Sequence, residues 1–387
     1  MNCWEYYTRT LSTILWHGDA RIAPIRERVE RIIAERNLGI DSRDHPGNGA
    51  VPPEYENPRT VVVRTGERLD FGRCPGTHGH RCCNYLTLNV YTGCTLGCTY
   101  CIMQSYLRNR TLEVRVPGPE QIERILGVAR ENGGRTVRVG TGEVGDSLLY
   151  DPLFGLSEDL VRVLGGAENV QFELKTKTDY VDHLPRVARD AGGAPTGGAP
   201  TGGAPVLGFS LNPPKLIREE EGWAASLEER IAAARRGVEM GYIPAFHFDP
   251  LILHEGWRDA YGAVVERLAE FRDAPPAWIS LGTLRYPPTL RGSIEERPYV
   301  LEEFVPSADG KMRYLQPVRS GMYRFMRDRL REALPSAPVY LCMESSVIWR
   351  DFMKGQDGKG EGSAASRLRP IMTPLSLAER AGVGYER

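Results

Sequence analysis

The sequence lacks three features that would each place the protein in a particular class. Its 387 residues carry a formal net charge of −1, whereas a protein that coats nucleic acid usually has a basic excess. It contains no run of about 18 or more apolar residues, and it does not begin with the charged and apolar segments of a secretory signal. We therefore expect a soluble, cytoplasmic protein with no membrane partner.

Cysteine is scarce over most of the chain, which makes its distribution informative. Six of the eight cysteines fall between Cys74 and Cys101. A disulfide framework would spread its cysteines and would belong to a short secreted chain. In a long cytoplasmic chain, such crowding indicates metal or redox chemistry instead.

From about Leu86 onward, the chain alternates between strand-like and helix-like segments. The strand-like segments are short apolar runs, at Leu86–Val90, Thr136–Gly140, Val170–Lys175, Val206–Leu211, Ile243–Phe248 and Trp278–Gly282. The helix-like segments have apolar residues at helical spacing, at Glu120–Glu131, Leu156–Leu164, Val181–Asp190, Ser226–Glu239 and Arg258–Arg272. These repeats predict an α/β fold with a parallel sheet, open or closed into a partial barrel.

Segments on either side of these repeats are predicted to extend the barrel. An amphipathic helix is predicted at Ile22–Arg36, another helix at Gly321–Leu334, and a strand at Val339–Met343 that joins the sheet. A Gly/Ala/Pro/Thr repeat at 192–205 predicts a flexible loop. The predicted division is 1–84 for an N-terminal extension with a cysteine-rich loop, 85–290 for the barrel, 291–354 for a C-terminal extension and 355–387 for a flexible tail.

The strongest motif follows the first predicted strand and reads Cys94-Thr-Leu-Gly-Cys98-Thr-Tyr-Cys101. Three thiolates on one short loop can bind three irons of a [4Fe–4S] cluster and leave the fourth iron open. The amino and carboxylate groups of S-adenosylmethionine can fill that open position, and an electron passed to the sulfonium then breaks a C–S bond. The alternative is a zinc site, which needs a fourth ligand such as Cys82 or Cys83.

The chain resembles the radical S-adenosylmethionine superfamily and, within it, the spore photoproduct lyase family. The resemblance covers roughly residues 85–290 and depends on motifs that occur in the same order. They are Thr92-Gly-Cys94, Cys98-Thr-Tyr-Cys101-Ile-Met-Gln104, Lys175-Thr-Lys177, Val181-Asp-His-Leu184, Phe209-Ser-Leu-Asn212, His254-Glu-Gly-Trp257 and Leu284-Arg285-Tyr286.

The resemblance implies a partial (βα)6 TIM-like barrel, with the cluster at the top of the first strand. It implies reductive cleavage of S-adenosylmethionine to a 5′-deoxyadenosyl radical, an electron donor of the flavodoxin or ferredoxin type, and a nucleic-acid or nucleobase substrate. By resemblance, Lys177 faces the cosubstrate carboxylate, Ser210 and Asn212 contact the same ligand, and Tyr100 lies near the adenine.

Further cosubstrate contacts are predicted from position along the chain. Lys175 lies two residues before Lys177 and shares its side of the strand, although it could equally be a solvated surface charge. The glycine-rich stretch after the second strand carries Glu143, Asp146 and Ser147, which offer acceptors for an ammonium group or a ribose hydroxyl.

The sequence departs from the family at two positions that concern the return of a hydrogen atom. The family has a cysteine after the second strand, where this chain reads Val139-Gly-Thr141-Gly-Glu143. The family's tyrosine after the last cluster cysteine is replaced by Ile102. We therefore expect a substrate or a hydrogen donor that differs from the family's.

Four residues are candidates for the catalytic step. Cys342 could replace the missing donor or be a buried apolar cysteine. Cys82 and Cys83, with Cys74 nearby, could be redox thiols, ligands of a second metal or parts of a structural loop. Arg285 follows the sixth strand and could bind an anionic group.

Three functions remain open on the sequence alone. The leading hypothesis is a radical S-adenosylmethionine enzyme that resembles spore photoproduct lyase but acts on a different substrate. The second is a biosynthetic or peptide- or thiol-modifying radical enzyme, and the third is a zinc-stabilised nucleic-acid-binding protein.

Overall fold

The structure is a computed structural model that describes most of the chain. The described residues are 2–45, 50–67, 70–74, 80–81, 83, 85–107, 111–187, 203–300 and 302–354. Cys82, most of the predicted 192–205 loop and the predicted tail at 355–387 lie outside them.

Strands and helices alternate along the barrel part of the chain. The strands are β1 Thr13–His17, β2 Asp41–Asp44, β3 Thr60–Thr65, β4 Phe71–Arg73, β5 Leu86–Leu88, β6 Tyr91–Thr92, β7 Leu112–Val116, β8 Val137–Thr141, β9 Val170–Thr176, β10 Val206–Ser210, β11 Ile243–Leu251, β12 Ile279–Thr283, β13 Arg285–Tyr286, β14 Phe304–Pro306, β15 Met312–Tyr314 and β16 Val339–Leu341. The α-helices are α1 Cys3–Thr10, α2 Ala23–Arg36, α3 Met103–Tyr106, α4 Pro119–Glu131, α5 Asp151–Phe154, α6 Leu156–Leu164, α7 Pro214–Glu220, α8 Leu227–Glu239, α9 Trp257–Leu268, α10 Arg291–Ile294, α11 Gln316–Ala333 and α12 Ser346–Met353.

The largest sheet has eight strands in the order β16-β12-β11-β10-β9-β8-β5-β4. Its strands are parallel except β4, which is antiparallel to β5. Strands such as β8 and β12 are buried along their whole length, as expected where helices cover a parallel sheet. An isolated bridge between Arg81 and Glu344 joins the segments that follow the two edge strands. The predicted partial barrel in an α/β fold is confirmed.

The six predicted barrel strands are all present, with ends shifted by a few residues at most. The predicted helix at Val181–Asp190 is wrong, because residues 181–187 form turns and irregular backbone and 188–190 lie outside the described residues. Pro185 lies within this segment, lacks a backbone N–H donor and blocks a helix at that point. Val181 and Leu184 are still buried, so their apolar spacing reflects packing of a loop.

A second sheet was missed in the sequence. Five strands pair in the order β2-β1-β3-β7-β6, and β2, β1, β3 and β7 run parallel. The predicted helix at Ile22–Arg36 is present as α2. This sheet uses strands from both sides of residue 84, and the proposed division into parts stays a prediction.

The C-terminal part continues the barrel. The predicted strand at Val339–Met343 is present as β16, which pairs with β12 at the edge of the large sheet. The long helix α11 packs on α9 and α12. Among the described residues, no helix is long and apolar enough to cross a membrane.

Candidate functional site

The cysteine motif forms a loop that begins after β6, the short strand that follows β5. Gly93 and Gly97 adopt φ values of 89° and 74°, in the left-handed region that favours glycine. These conformations let the backbone wrap around the position that the cysteine side chains face. Cys94, Cys98 and Cys101 all line one cavity, of about 270 Å³.

Hydrogen bonds from neighbouring segments hold the cysteine loop. The Trp223 backbone N–H donates to the Leu96 carbonyl at 2.8 Å. The Gln104 side-chain amide donates to the carbonyls of Cys98 and Thr99, at 2.9 and 3.0 Å. These bonds fix the backbone of the loop, and its three cysteines line the cavity.

Burial disfavours the thiolate form of these cysteines, so they need a positively charged group such as an iron–sulfur cluster to become ligands. Burial raises the pKa of the Cys98 thiol to about 12, although Lys177 acts in the opposite direction. Thiols of this kind become ligands only when a cation favours the thiolate. Among the described residues, no three Cys, His, Asp or Glu side chains converge to hold a single metal ion. In a cubane, each thiolate binds a different iron, so such convergence is not required.

Beside the loop lies a buried polar network that sequence reasoning found only in part. Lys177 Nζ lies 3.2 Å from both Tyr100 Oη and Glu221 Oε1. The Asn212 amide donates to Tyr100 Oη at 3.2 Å and to Glu221 Oε1 at 2.9 Å. Arg230 is fully buried and forms an ion pair with the other oxygen of Glu221. We call these five residues the loop-end network.

Glu221 is the centre of the loop-end network. Burial alone would raise the pKa of this carboxyl, but Arg230 and Lys177 hold it well below its usual range. One carboxylate therefore faces two cations, and the network keeps a net positive charge. Tyr100, Lys177 and Ser210 line the cavity, whereas Asn212 does not and instead positions Tyr100.

The polar side chains of the glycine-rich stretch after β8 differ in whether they line the cavity. Glu143 lines the cavity, pairs with Lys175 at 2.8 Å and accepts a hydrogen bond from the Cys74 thiol at 3.5 Å. Asp146 also lines the cavity, but its carboxylate accepts the Lys177 backbone N–H at 2.7 Å, among other local donors. Ser147 is fully buried away from the cavity.

Ser147 therefore does not lie where a cosubstrate contact is predicted. Its hydroxyl accepts hydrogen bonds from Thr141 Oγ1 at 2.6 Å and from the Lys175 backbone N–H at 2.9 Å. These bonds join the turn after β8 to the end of β9. The sequence pattern located the loop correctly but could not tell which side chains of the loop face the cavity.

Across the cavity, Arg285 holds two groups together. Its guanidinium lies 3.1 Å from Asp249 Oδ1 and 3.8 Å from Cys342 Sγ. Burial raises and Arg285 lowers the pKa of Asp249, and the net direction is down. Cys342 follows β16 directly, so the thiol predicted from sequence reaches the cavity. Cys83 and Cys74 line the same cavity.

One wall of the cavity was not predicted from the sequence. Arg138 on β8, Glu173 on β9, His247 on β11 and Ser280 on β12 all line it, and we call these four residues the polar floor. His247 bonds Glu173 at 2.6 Å through Nε2 and Ser280 at 2.6 Å through Nδ1. Polar residues placed among the apolar residues of these strands were the available clue.

Comparison with known proteins identifies the family. The family model for spore photoproduct lyase matches residues 41–277. The chain belongs to the spore photoproduct lyase family. This family lies within the radical S-adenosylmethionine superfamily, as the cysteine motif predicts.

Curated relatives are distant in sequence. The spore photoproduct lyase of Clostridium acetobutylicum is 22% identical over 226 residues, which cover 58% of this chain and 62% of the relative. The Bacillus subtilis enzyme is 25% identical over 242 residues, which cover 60% and 66%. The matched regions thus span slightly less than two thirds of these relatives.

Solved structures of spore photoproduct lyase share the fold over a longer span. One, a mutant with bound S-adenosylmethionine and dinucleoside spore photoproduct, superposes with a TM-score of 0.67 at 21% identity and covers 86% of this chain and 98% of its own. Another, complexed with dinucleoside spore photoproduct, gives the same TM-score and covers 86% and 99%.

Proposed function

We propose that this protein is a radical S-adenosylmethionine enzyme that cleaves its cosubstrate reductively. The observation that carries the proposal is the loop with Cys94, Cys98 and Cys101, which opens onto a cavity at the carboxyl end of a parallel barrel. Parallel barrels place their chemistry at this end. Family membership supports the same activity.

The residues around the loop suit the two cofactors. Cys94, Cys98 and Cys101 would hold a [4Fe–4S] cluster, which when bound supplies the electron that splits S-adenosylmethionine into methionine and a 5′-deoxyadenosyl radical. Lys177, together with Arg230, gives the loop-end network a net positive charge that favours the cosubstrate carboxylate. We propose that a flavodoxin- or ferredoxin-type protein delivers the electron.

Other residues that line the cavity would contact the cosubstrate or exclude water. Ser210 and Tyr100 line the wall beside Lys177 and are positioned to contact the cosubstrate. Lys175 is already paired with Glu143 at 2.8 Å, so it serves to orient that carboxylate. Leu96, Ile102 and Leu284 supply apolar lining that keeps water away from a reactive species.

For the substrate, we propose a nucleobase-type molecule related to a DNA photolesion. Solved spore photoproduct lyases are complexed with dinucleoside spore photoproduct, and the fold is shared. Thr141 and Ile102 stand where the resemblance implies a cysteine and a tyrosine. We therefore propose that a different thiol of this chain returns the hydrogen atom.

Cys342 is the thiol best suited to that step. It lines the cavity, and its sulfur accepts a hydrogen bond from Arg285 at 3.8 Å. Asp249, 3.1 Å from Arg285, keeps that guanidinium in place. In the proposed step the substrate radical takes the hydrogen atom of the S–H bond. The resulting thiyl radical takes one electron from the flavodoxin- or ferredoxin-type donor and a proton from water.

Anaerobic reconstitution tests the proposed activity. With iron, sulfide, dithionite and S-adenosylmethionine, the protein should release 5′-deoxyadenosine and show the visible absorption of an iron–sulfur cluster. Cys98→Ala should lose both, whereas Cys74→Ala, which changes a thiol outside the motif, should keep the absorption. A reconstituted protein with intact iron and sulfide that releases no 5′-deoxyadenosine would contradict the proposal.

A second experiment tests Cys342 separately. Turnover of irradiated thymine dinucleotide in deuterated water should place deuterium in the product of the wild-type protein, because a thiol exchanges its hydrogen with solvent. Cys342→Ala should still release 5′-deoxyadenosine but form much less repaired product. Cys83→Ala is the matched control. If only Cys83→Ala or Cys74→Ala blocks the product, the donor is assigned wrongly and a thiol-modifying reaction gains support.

A further inference from the structure

The polar floor is an unusual interior for a parallel barrel. Barrel interiors are normally filled by branched apolar side chains. Here Arg138, Glu173, His247 and Ser280 lie inside the barrel and are at most 7% exposed. The proposed cleavage of S-adenosylmethionine uses none of these residues, so the polar floor needs another explanation.

Glycines in the strands make room for the polar floor. A Cβ atom at Gly208 would lie 2.4 Å from Glu173 Oε1 and 2.8 Å from His247 Nε2. A Cβ atom at Gly140 would lie 2.7 Å from the Glu173 carbonyl oxygen and would overlap the Tyr85 hydroxyl. Glycine is disfavoured inside strands. Its presence at both positions indicates that the space is reserved for these polar groups.

Arg138 is the member of the polar floor that is least satisfied. Its guanidinium stacks on Trp278, 3.8 Å from the ring centroid, and donates one hydrogen bond to Tyr340 Oη at 3.2 Å. Among the described residues, its Nε and Nη1 atoms have no hydrogen-bond acceptor, although the residue is only 5% exposed. Buried donors without an acceptor are rare and costly.

The other cations of the cavity have closer partners. Lys175 lies 2.8 Å from Glu143, and Arg285 lies 3.1 Å from Asp249. Lys177 lies 3.2 Å from Glu221. Arg138 lies 4.0 Å from Glu173, which is the longest of these separations. Arg138 is thus the cavity cation with the most capacity left for a ligand.

A second group with unused hydrogen-bonding capacity lies beside Arg138. The Tyr85 ring lies 5.4 Å from the Arg138 guanidinium carbon, and the residue lines the same cavity. Its hydroxyl is buried and, within the described part of the chain, has no hydrogen-bond partner at normal distance and angle, while the nearby Glu173 carboxylate adds to burial in raising the pKa of Tyr85. A cation with two unsatisfied N–H donors and a hydroxyl without a normal hydrogen bond, lying side by side, favour a ligand group rich in oxygen acceptors.

We propose that Arg138 and Tyr85 bind an oxygen acceptor of the substrate, a ring carbonyl or a carboxylate, at the polar floor. This inference depends on the proposed function, since it assigns the floor to the substrate and the loop-end network to the cosubstrate. Arg138 then fixes how far the substrate enters the barrel, and the substrate's reacting atom faces the loop end.

Binding measurements on the reconstituted holoenzyme test the inference. Titrations with S-adenosylmethionine present and no reductant use two probes, thymidine for a ring carbonyl and N-acetylglycine for a carboxylate. At least one probe should bind the wild-type protein and should lose about tenfold or more in affinity in Arg138→Met, because a hydrogen bond to a charged group is lost. Tyr85→Phe, which removes only the hydroxyl, should weaken the same probe. The probe that binds identifies the acceptor.

A matched control and a stability measurement separate binding from folding. Tyr242→Phe removes a tyrosine hydroxyl that bonds the Pro185 carbonyl outside the cavity, and it should leave probe affinity unchanged. Tyr85→Phe should keep the wild-type Tm without probe, because its hydroxyl has no partner to lose in the described part of the chain. Equal affinities in all variants, or no binding of either probe, would overturn the inference. Absence of reductive cleavage would instead contradict the proposed function.

Discussion

The two ends of the cavity are encoded differently. At the loop end, Cys94, Cys98 and Cys101 come from one short segment, and their spacing alone carries the chemistry. At the polar floor, Arg138 and His247 come from strands that are far apart in the sequence and meet only when the sheet forms. The difference teaches that a ligand-binding loop can be read locally, whereas a barrel interior has to be assembled first.

The two ends also differ in how charge is compensated. In the loop-end network, Glu221 is in contact with two cations, accepts a hydrogen bond from Asn212 and does not line the cavity. At the polar floor, Arg138 is held by ring contacts and stands 4.0 Å from Glu173. We therefore expect the loop end to respond to substitution mainly through stability, and the polar floor mainly through binding.

The largest expected effect comes from breaking the loop-end network. Arg230→Met removes the buried cation and leaves Glu221 without its main partner in a site with no solvent access. Loss of one member of a buried ion pair costs about 3–5 kcal/mol of the free energy of unfolding. Urea unfolding of the variant and the wild-type protein measures the difference.

An exposed ion pair supplies the control for that experiment. Arg267→Met removes a cation that pairs with Glu228 at 2.7 Å on the surface. Exposed pairs contribute below about 1 kcal/mol. Equal losses of stability in the two variants would show that the loop-end network is no more tightly built than the surface, and the comparison between the two ends would fail.

An intermediate effect is expected at the polar floor. Gly208→Ala places a methyl group 2.4 Å from Glu173 Oε1, so the Glu173–His247 hydrogen bond has to shift. Overpacking of a buried site costs about 1–3 kcal/mol, and urea unfolding measures it. Gly127→Ala on the helix α4 is the matched control, because its Cβ atom meets only the end of Arg130 at 3.8 Å. The control should gain about 0.5–1 kcal/mol. A stabilised Gly208→Ala would show that the floor is loosely packed.

The sequence predicted the barrel because its strands and helices are local patterns with clear periods. The six barrel strands and the helices at Leu156–Leu164 and Ser226–Glu239 depend on apolar spacing that tertiary packing reinforces. The segment at Val181–Asp190 shows the limit, since a loop that packs against the core can copy helical spacing. The five-stranded sheet was not predicted, because its strands are separated in sequence and come together only in the folded chain. For example, β3 pairs with β1 on one side and with β7 on the other.

The candidate site was predictable to the extent that its residues follow a strand end. Lys177 and Glu143 come within three residues after a predicted strand, Cys342 lies near the end of one, and all three line the cavity. Glu221 and Arg230 lie in and beside helices, and nothing in their local sequence distinguishes them from surface charges. Their role arises from complete burial, which is a property of the folded chain.

The smallest expected effect is the pH dependence that the polar floor gives to stability. Burial would raise the pKa of Glu173, but His247 and Arg138 lower it from 4.5 to about 2. The folded state therefore favours the carboxylate, so this stabilisation is fully present above pH 4.5 and is lost as the pH falls from 4.5 toward 2. Between pH 6 and pH 4, the wild-type protein should lose about 1 kcal/mol more of its free energy of unfolding than Glu173→Gln. Urea unfolding at both pH values measures the two losses. If they are equal, Glu173 is not held as an anion by its neighbours, and the polar floor then lacks the fixed negative charge that we place beside Arg138.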